Sequence, residues 1–151
     1  MSIETMTERM NAIVAGSDPQ VKPGQPERFT TAAVAGDAIR QGDLYIMVID
    51  SMPKGYAKIA NQKFTEQHRQ LVPGNTQGAK HCLDSLEGVQ MWHPNNYGEE
   101  SLNGPCLKLS QERIIQHPTH GSVTIPAGMM VQCFYQREYD AEQQRARRAA
   151  D

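Results

Sequence analysis

Apolar positions in the first fourteen residues fall at three- and four-residue steps: Ile3, Met6, Met10, then Ile13 or Val14, with polar and charged residues between. This spacing predicts a short amphipathic helix over residues 2–14, with Ser2 as N-cap and Gly16 ending it. Residues 15–28 (AGSDPQVKPGQPER) hold three prolines, two glycines and little to bury, which predicts a linker. Residues 1–28 are thus expected to form an arm. Its stripe of Ile3, Met6, Met10 and Ile13 must dock back on the body, meet a partner or remain partly disordered.

From Phe29 onward the period changes. Leu44–Ile49 (LYIMVI) is a continuous apolar run between Gln41-Gly42-Asp43 and Asp50–Gly55, and its length and β-branched content predict a buried strand. Further strands are predicted at 79–84, 88–92, 105–109, 112–117, 121–125 and 129–139. Turn chemistry separates most of them: Pro73-Gly74-Asn75, Pro94-Asn95-Asn96, Asn103-Gly104-Pro105 and Pro126-Ala127-Gly128. Short strands with frequent turns predict an all-β core over residues 29–139, a small barrel or jelly-roll-like sandwich. The last twelve residues (DAEQQRARRAAD) return to helix formers, and Asp140 with Gln143 resembles a capping box. They predict a short charged helix or tail over 140–151. No internal repeat points to a propeller or solenoid.

Length and charge narrow the field further. A chain of 151 residues makes one domain. Fifteen Lys+Arg against 17 Asp+Glu leave a net charge of −2, which gives no bulk attraction to nucleic acid or an anionic membrane. No apolar run nears the roughly 18 residues of a membrane span. The opening MSIETMTERM carries Glu4 and Glu8 and lacks the apolar stretch of a signal peptide, so a cytoplasmic location is expected. Cys82, Cys106 and Cys133 form no C-x-x-C pair and read as reduced thiols, Cys133 as a buried one.

Histidines carry most of the candidate chemistry. His117 and His120 flank Pro118 and Thr119 just before Gly121, a bend that turns both rings one way, whereas a straight strand would set them on opposite sides. Two imidazoles there invite metal ligation; the plain alternative is a polar turn that happens to contain them. Gly121–Gly128 resembles the glycine, strand and P-x-G turn of cupins, but the cupin H-x-H set is missing. His117-Pro118-Thr119 supplies one H-x-T motif of a two-histidine phosphoesterase, and His120-Gly121-Ser122 lies too close to serve as the opposing one. In Pro73–Gly78 the backbone at Asn75, Thr76 and Gly78 suits an anion, with Lys80 beside it; a plain surface loop is the alternative.

Three segments, Arg40–Pro53, Arg69–Leu83 and His117–Tyr139, together resemble a family of small proteins from bacteria and their phages or mobile elements. The shared elements are Gly42-Asp43 through Pro53, a T-x-G-x-x-H at Thr76, Gly78 and His81, and an H-x-x-H at His117 and His120. Pro126-x-Gly128 and Gln136-Arg137-Glu138-Tyr139 complete them, and the likeness covers about residues 40–140. Many members carry G-H-A-H where this chain has Gly78-Ala79-Lys80-His81. The resemblance brings no assigned activity, but it singles out His81, His117 and His120.

Two readings follow. In the first, the protein is a non-catalytic accessory or interaction module of a phage or mobile element. Its arm (Ile3, Met6, Met10, Ile13) binds a protein partner or another copy. In the second, it is a small metal- or anion-binding hydrolase. His81, His117 and His120 would then hold a divalent zinc, manganese or iron ion, with Glu138 or Asp84 as base.

Overall fold

The structure, a computed structural model, describes residues 25–72, 80–97, 102–140 and 145–148, with the backbone alone for 137–140 and 145–148. The strands in chain order are β1 (Glu27–Arg28), β2 (Ala38–Gln41), β3 (Leu44–Val48), β4 (Tyr56–Lys58), β5 (Cys82–Leu83) and β6 (Val89–Pro94). They continue with β7 (Asn103–Leu109), β8 (Arg113–Gln116), β9 (Val123–Ile125), β10 (Met130–Tyr135), β11 (Arg137–Asp140) and β12 (Arg145–Arg148). Two 3₁₀ turns, Asn61–Lys63 and Glu66–Arg69, lie between β4 and β5. One sheet has six strands in the order β2-β3-β10-β7-β6-β4, a second has four in the order β1-β9-β8-β5, and β11 pairs with β12.

The continuous apolar run at β3 reflects burial on both faces. Leu44, Ile46 and Val48 point into a core shared with Leu83 of β5, Ile115 of β8 and Val123 and Ile125 of β9. Met47 and Ile49 lie with Cys106 in a second cluster, alongside Trp92, Met130 and Phe134. Side chains alternate across a strand, so these two clusters mark opposite faces of the six-stranded sheet.

Where β10 meets β7 the register shifts between Gln132 and Phe134. Pro105, which has no amide hydrogen to donate, falls within that irregularity. Beside it, a Cβ on Gly104 would come to 3.0 Å from the Cys133 carbonyl and the Tyr135 ring, so the close approach of β10 requires glycine.

Each of the seven strand segments read from the sequence contains a strand, and the all-β character stands. Several other expectations are corrected. Among the described residues no barrel or jelly-roll closure forms: β2 and β4 are the edges of one sheet, β1 and β5 of the other. The chain divides its strands between a six-stranded sheet, a four-stranded sheet and the β11–β12 pair instead of running them into one ring. The C-terminal helix is overturned, because Arg145–Arg148 pairs antiparallel with Arg137–Asp140, Asp140 opposite Arg145. Helix propensity is a weak prior, and a segment with no apolar stripe gains more from a partner strand's hydrogen bonds.

Asn103-Gly104-Pro105 is the start of β7 and not a turn. Glu27–Arg28, assigned to the linker, forms β1 and pairs parallel with β9. The helix expected over residues 2–14, with Ile3, Met6, Met10 and Ile13, lies outside the described residues. Among the described residues no helix is long and apolar enough to cross a membrane.

Candidate functional site

His81, His117 and His120 come together where the two sheets meet. In the β5–β8 ladder Cys82 faces Gln116 and Leu83 faces Ile115, so one further step along each strand sets His81 across from His117. Their ring centroids are 4.4 Å apart. The bend at Pro118–His120, followed by Gly121 at φ 76°, brings the His120 ring back to 4.3 Å from His117. The three imidazoles therefore form a row, His81 1% exposed and His120 half-buried.

The opposite side of this row comes from the six-stranded sheet. Gln41, 1% exposed at the end of β2, donates its amide nitrogen to the carbonyls of Ile115 (2.9 Å) and Gly121 (2.7 Å). Both amide hydrogens are thereby committed, so Oε1 only accepts, and His81 Nδ1, 2.8 Å away, must carry a hydrogen. His81 Nε2 lies 2.8 Å from Asp43 Oδ1, and a second hydrogen sits on that axis. The tight turn between β2 and β3 supplies Gly42 and Asp43, and Gly42 lies against the His120 ring. Gln41, Asp43, His81, His117 and His120 are thus a buried polar clamp joining one sheet to the other.

This geometry bears on the expected metal set. Both His81 nitrogens are engaged, and His117 Nδ1 accepts from the backbone N–H groups of Thr119 and His120, each at 3.2 Å. The rings meet through their π-faces and edges; a metal requires convergent lone pairs. Among the described residues no group of three His, Cys, Asp or Glu side chains is placed to hold a metal ion. Asp84 acts along the β5–β8 seam, where Oδ1 accepts from the Ile114 amide at 3.0 Å and Oδ2 lies 3.9 Å from Arg113. Glu138 is on β11, opposite Arg147 in the backbone register.

Lys80 belongs to a second feature. It lines a cavity of about 610 Å³ together with Glu66, His68, Arg69, His93 and Tyr97. Asn75, Thr76 and Gly78 lie outside the described residues. Arg69 Nε donates to the Leu83 carbonyl at 2.8 Å, which holds the Glu66–Arg69 turn on β5. His93 stacks on Tyr97 at 4.0 Å and lies 5.8 Å from His68. Cys82 also lines this cavity; Cys106 and Cys133 are fully buried, and burial pushes the Cys106 thiol up to about 12.

Burial, helped by the nearby His68, lowers the His93 pKa to about 4, so the folded protein holds it neutral at pH 7. The unfolded chain takes up a proton as the pH falls through about 6.5, and the folded chain does so only near the lowered value. Stability is therefore full above pH ~6.5 and should decline as the pH drops toward 4, by on the order of 1–3 kcal/mol. Denaturant melts of the wild type and His93→Gln between those two values check this: the variant should show a flatter decline.

A family model described as Domain of unknown function (DUF8820) matches residues 40–133. The chain belongs to this family. No curated protein and no solved structure matches it. The DUF8820 region encloses all five residues of the clamp and the described lining residues of the cavity.

Gln41 carried no signal in the sequence, and the lining residues His68 and His93 count among its five histidines but belong to no motif. Gln41 sits in what reads as a solvated turn, and the two histidines stand alone in polar segments.

Proposed function

We propose that this DUF8820 protein is a non-catalytic accessory module that works by association. Residues 1–28 are the arm through which it joins a second copy of itself, around a core of residues 29–139. A setting in phages or bacterial mobile elements agrees with the resemblance of its motifs. The observation that carries the reading is the second apolar cluster, on the face of the six-stranded sheet away from the main core. There Met47, Ile49 and Cys106 are buried, and Met52, Tyr56, Trp92, Met130 and Phe134 are half-buried around them. An antiparallel sheet that turns one face to water ordinarily alternates to polar residues on that face. This one stays apolar.

The arm offers the matching chemistry in Ile3, Met6, Met10 and Ile13, whose thioethers suit an adaptable interface. The 24 residues ahead of Gln25, at up to ~3.5 Å each, are long enough to cross to a neighbouring molecule. Light scattering on the full chain, a chain lacking residues 2–16, and Phe134→Glu tests the proposal. The full chain is expected to run as an oligomer. Both variants should fall toward the monomer, 16.8 kDa for the full-length chain and correspondingly less for the shortened one, while keeping the β-sheet circular dichroism. A monomeric full chain, or an oligomer that neither change disturbs, would remove the reading.

A further inference from the structure

We propose that the cavity beside the Glu66–Arg69 turn is a binding site for a small anion bearing a flat ring, of the nucleoside monophosphate class. This site is independent of the association face. Its volume, about 610 Å³, falls within the ~300–1,000 Å³ range of small-molecule pockets.

Charge on the lining favours an anion. Among the described lining residues Lys80 and Arg69 stand against one carboxylate, that of Glu66, whose side chain is 80% exposed and 3.6 Å from the guanidinium. Arg69 is positioned rather than floppy, because its Nε is fixed on the Leu83 carbonyl. An anchored guanidinium edge matches the paired oxygens of a phosphate or carboxylate, and a flexible ammonium at the rim adds a mobile second charge.

Rings make the remaining wall. His68, His93 and Tyr97 are in successive contact, with centroids 5.8 and 4.0 Å apart. Burial keeps His93 neutral at pH 7. Thr65 donates its backbone N–H to His68 Nδ1 at 3.0 Å, which leaves the ring's own hydrogen on Nε2. Tyr135 donates its hydroxyl to the Leu71 carbonyl at 2.7 Å, so across the 3.2 Å contact between the two phenols Tyr97 is the donor. The Tyr97 hydroxyl hydrogen therefore points into the fold, and the ring carbons are what Tyr97 offers a ligand. A wall of this kind with cations at its edge selects a planar group joined to an anion. A second cavity, about 330 Å³ between Thr31–Ala35 and Pro126–Met129, carries the Asp50 carboxylate and, among its described lining residues, no cation, and lacks this combination.

A site whose described lining offers two cations, in a protein of net charge −2, suits a mononucleotide better than a polymer, which needs a continuous basic track. Calorimetric titration of the full chain with adenosine monophosphate, adenosine and inorganic phosphate decides the matter. The monophosphate is expected to bind with a sub-millimolar Kd, and adenosine and phosphate each at least about tenfold more weakly. Lys80→Glu, at an exposed rim position, should weaken the monophosphate about tenfold with the melting temperature unchanged. His93→Ala should weaken the monophosphate and leave inorganic phosphate as it was. The proposal is overturned if the monophosphate does not bind at millimolar concentration, if phosphate alone binds as tightly, if Lys80→Glu changes nothing, or if a single-stranded oligonucleotide outcompetes the mononucleotide.

Discussion

His81→Ala should lower folding stability by about 3–5 kcal/mol, the cost of stripping one partner from a buried ionisable pair. The substitution leaves Asp43 Oδ1 and Gln41 Oε1 without their 2.8 Å contacts to the ring in a region closed to water. It also removes the middle link between two sheets that meet here through the Gln41 amide and the Gly42–His120 contact as well. For a domain whose total stability is about 5–15 kcal/mol, that loss is large, and the melting temperature should drop by about 10 °C or more. Asp43→Asn, which keeps an acceptor for the ring, should cost distinctly less. Gln41→Ala combined with His81→Ala should cost less than the sum of the two, because both remove the same hydrogen-bonded unit. Thermal denaturation of the four proteins measures this directly. Additive losses would mean that the two residues act separately and that no clamp exists.

Gly42→Ala is expected to cost about 2–4 kcal/mol from two sources, a left-handed backbone and overpacking. The residue has φ 59°, and its Cβ would come to 2.5 Å from His120 Cδ2. The backbone penalty is fixed, but the collision is not, since the half-buried His120 ring is the group that must move. In a His120→Ala background the same substitution should therefore lose only the backbone part, about 1–2 kcal/mol. Equal losses in the two backgrounds would show that the turn does not bear on the histidine row.

Much of the strand pattern was legible because each long strand buries at least one face and so carries an apolar signature: LYIMVI at β3, MVQCFY at β10. The strands that escaped are short and polar: Glu27–Arg28, Ala38–Gln41, Tyr56–Lys58 and Arg145–Arg148. Edge strands of that kind owe their form to a neighbour and not to their own composition, and a charged residue such as Arg40 or Lys58 is what keeps an open edge soluble. The Arg145–Arg148 segment shows the opposite failure. Its composition favours a helix, and pairing with Arg137–Asp140 overrides it.

At the site, spacing brought out His117 and His120 because the bend between them is local. That His81 stands across from His117 depends on the β5–β8 register, and no sequence pattern fixes that. Gln41 and Asp43 are 40 and 38 positions from the ring they hold, in a stretch whose glycine and acid read as an ordinary turn. Contacts this distant in sequence are set by sheet topology, which short-range rules do not reach.

The strand order also constrains when the protein can be completed. β3, with its neighbour β2, joins the rest of its sheet only through β10, and β10 also pairs with β7. As the chain leaves the ribosome, Leu44–Val48 thus emerges more than eighty residues before the strand that covers its free edge. During that interval an exposed apolar ribbon must wait for its mate, and non-local pairing of this kind closes slowly. Newly made chains are accordingly most prone to aggregate before Tyr135 has cleared the exit tunnel, and ribosome-stalled truncations ending upstream of Met130 should demand holdase protection that full-length chains do not.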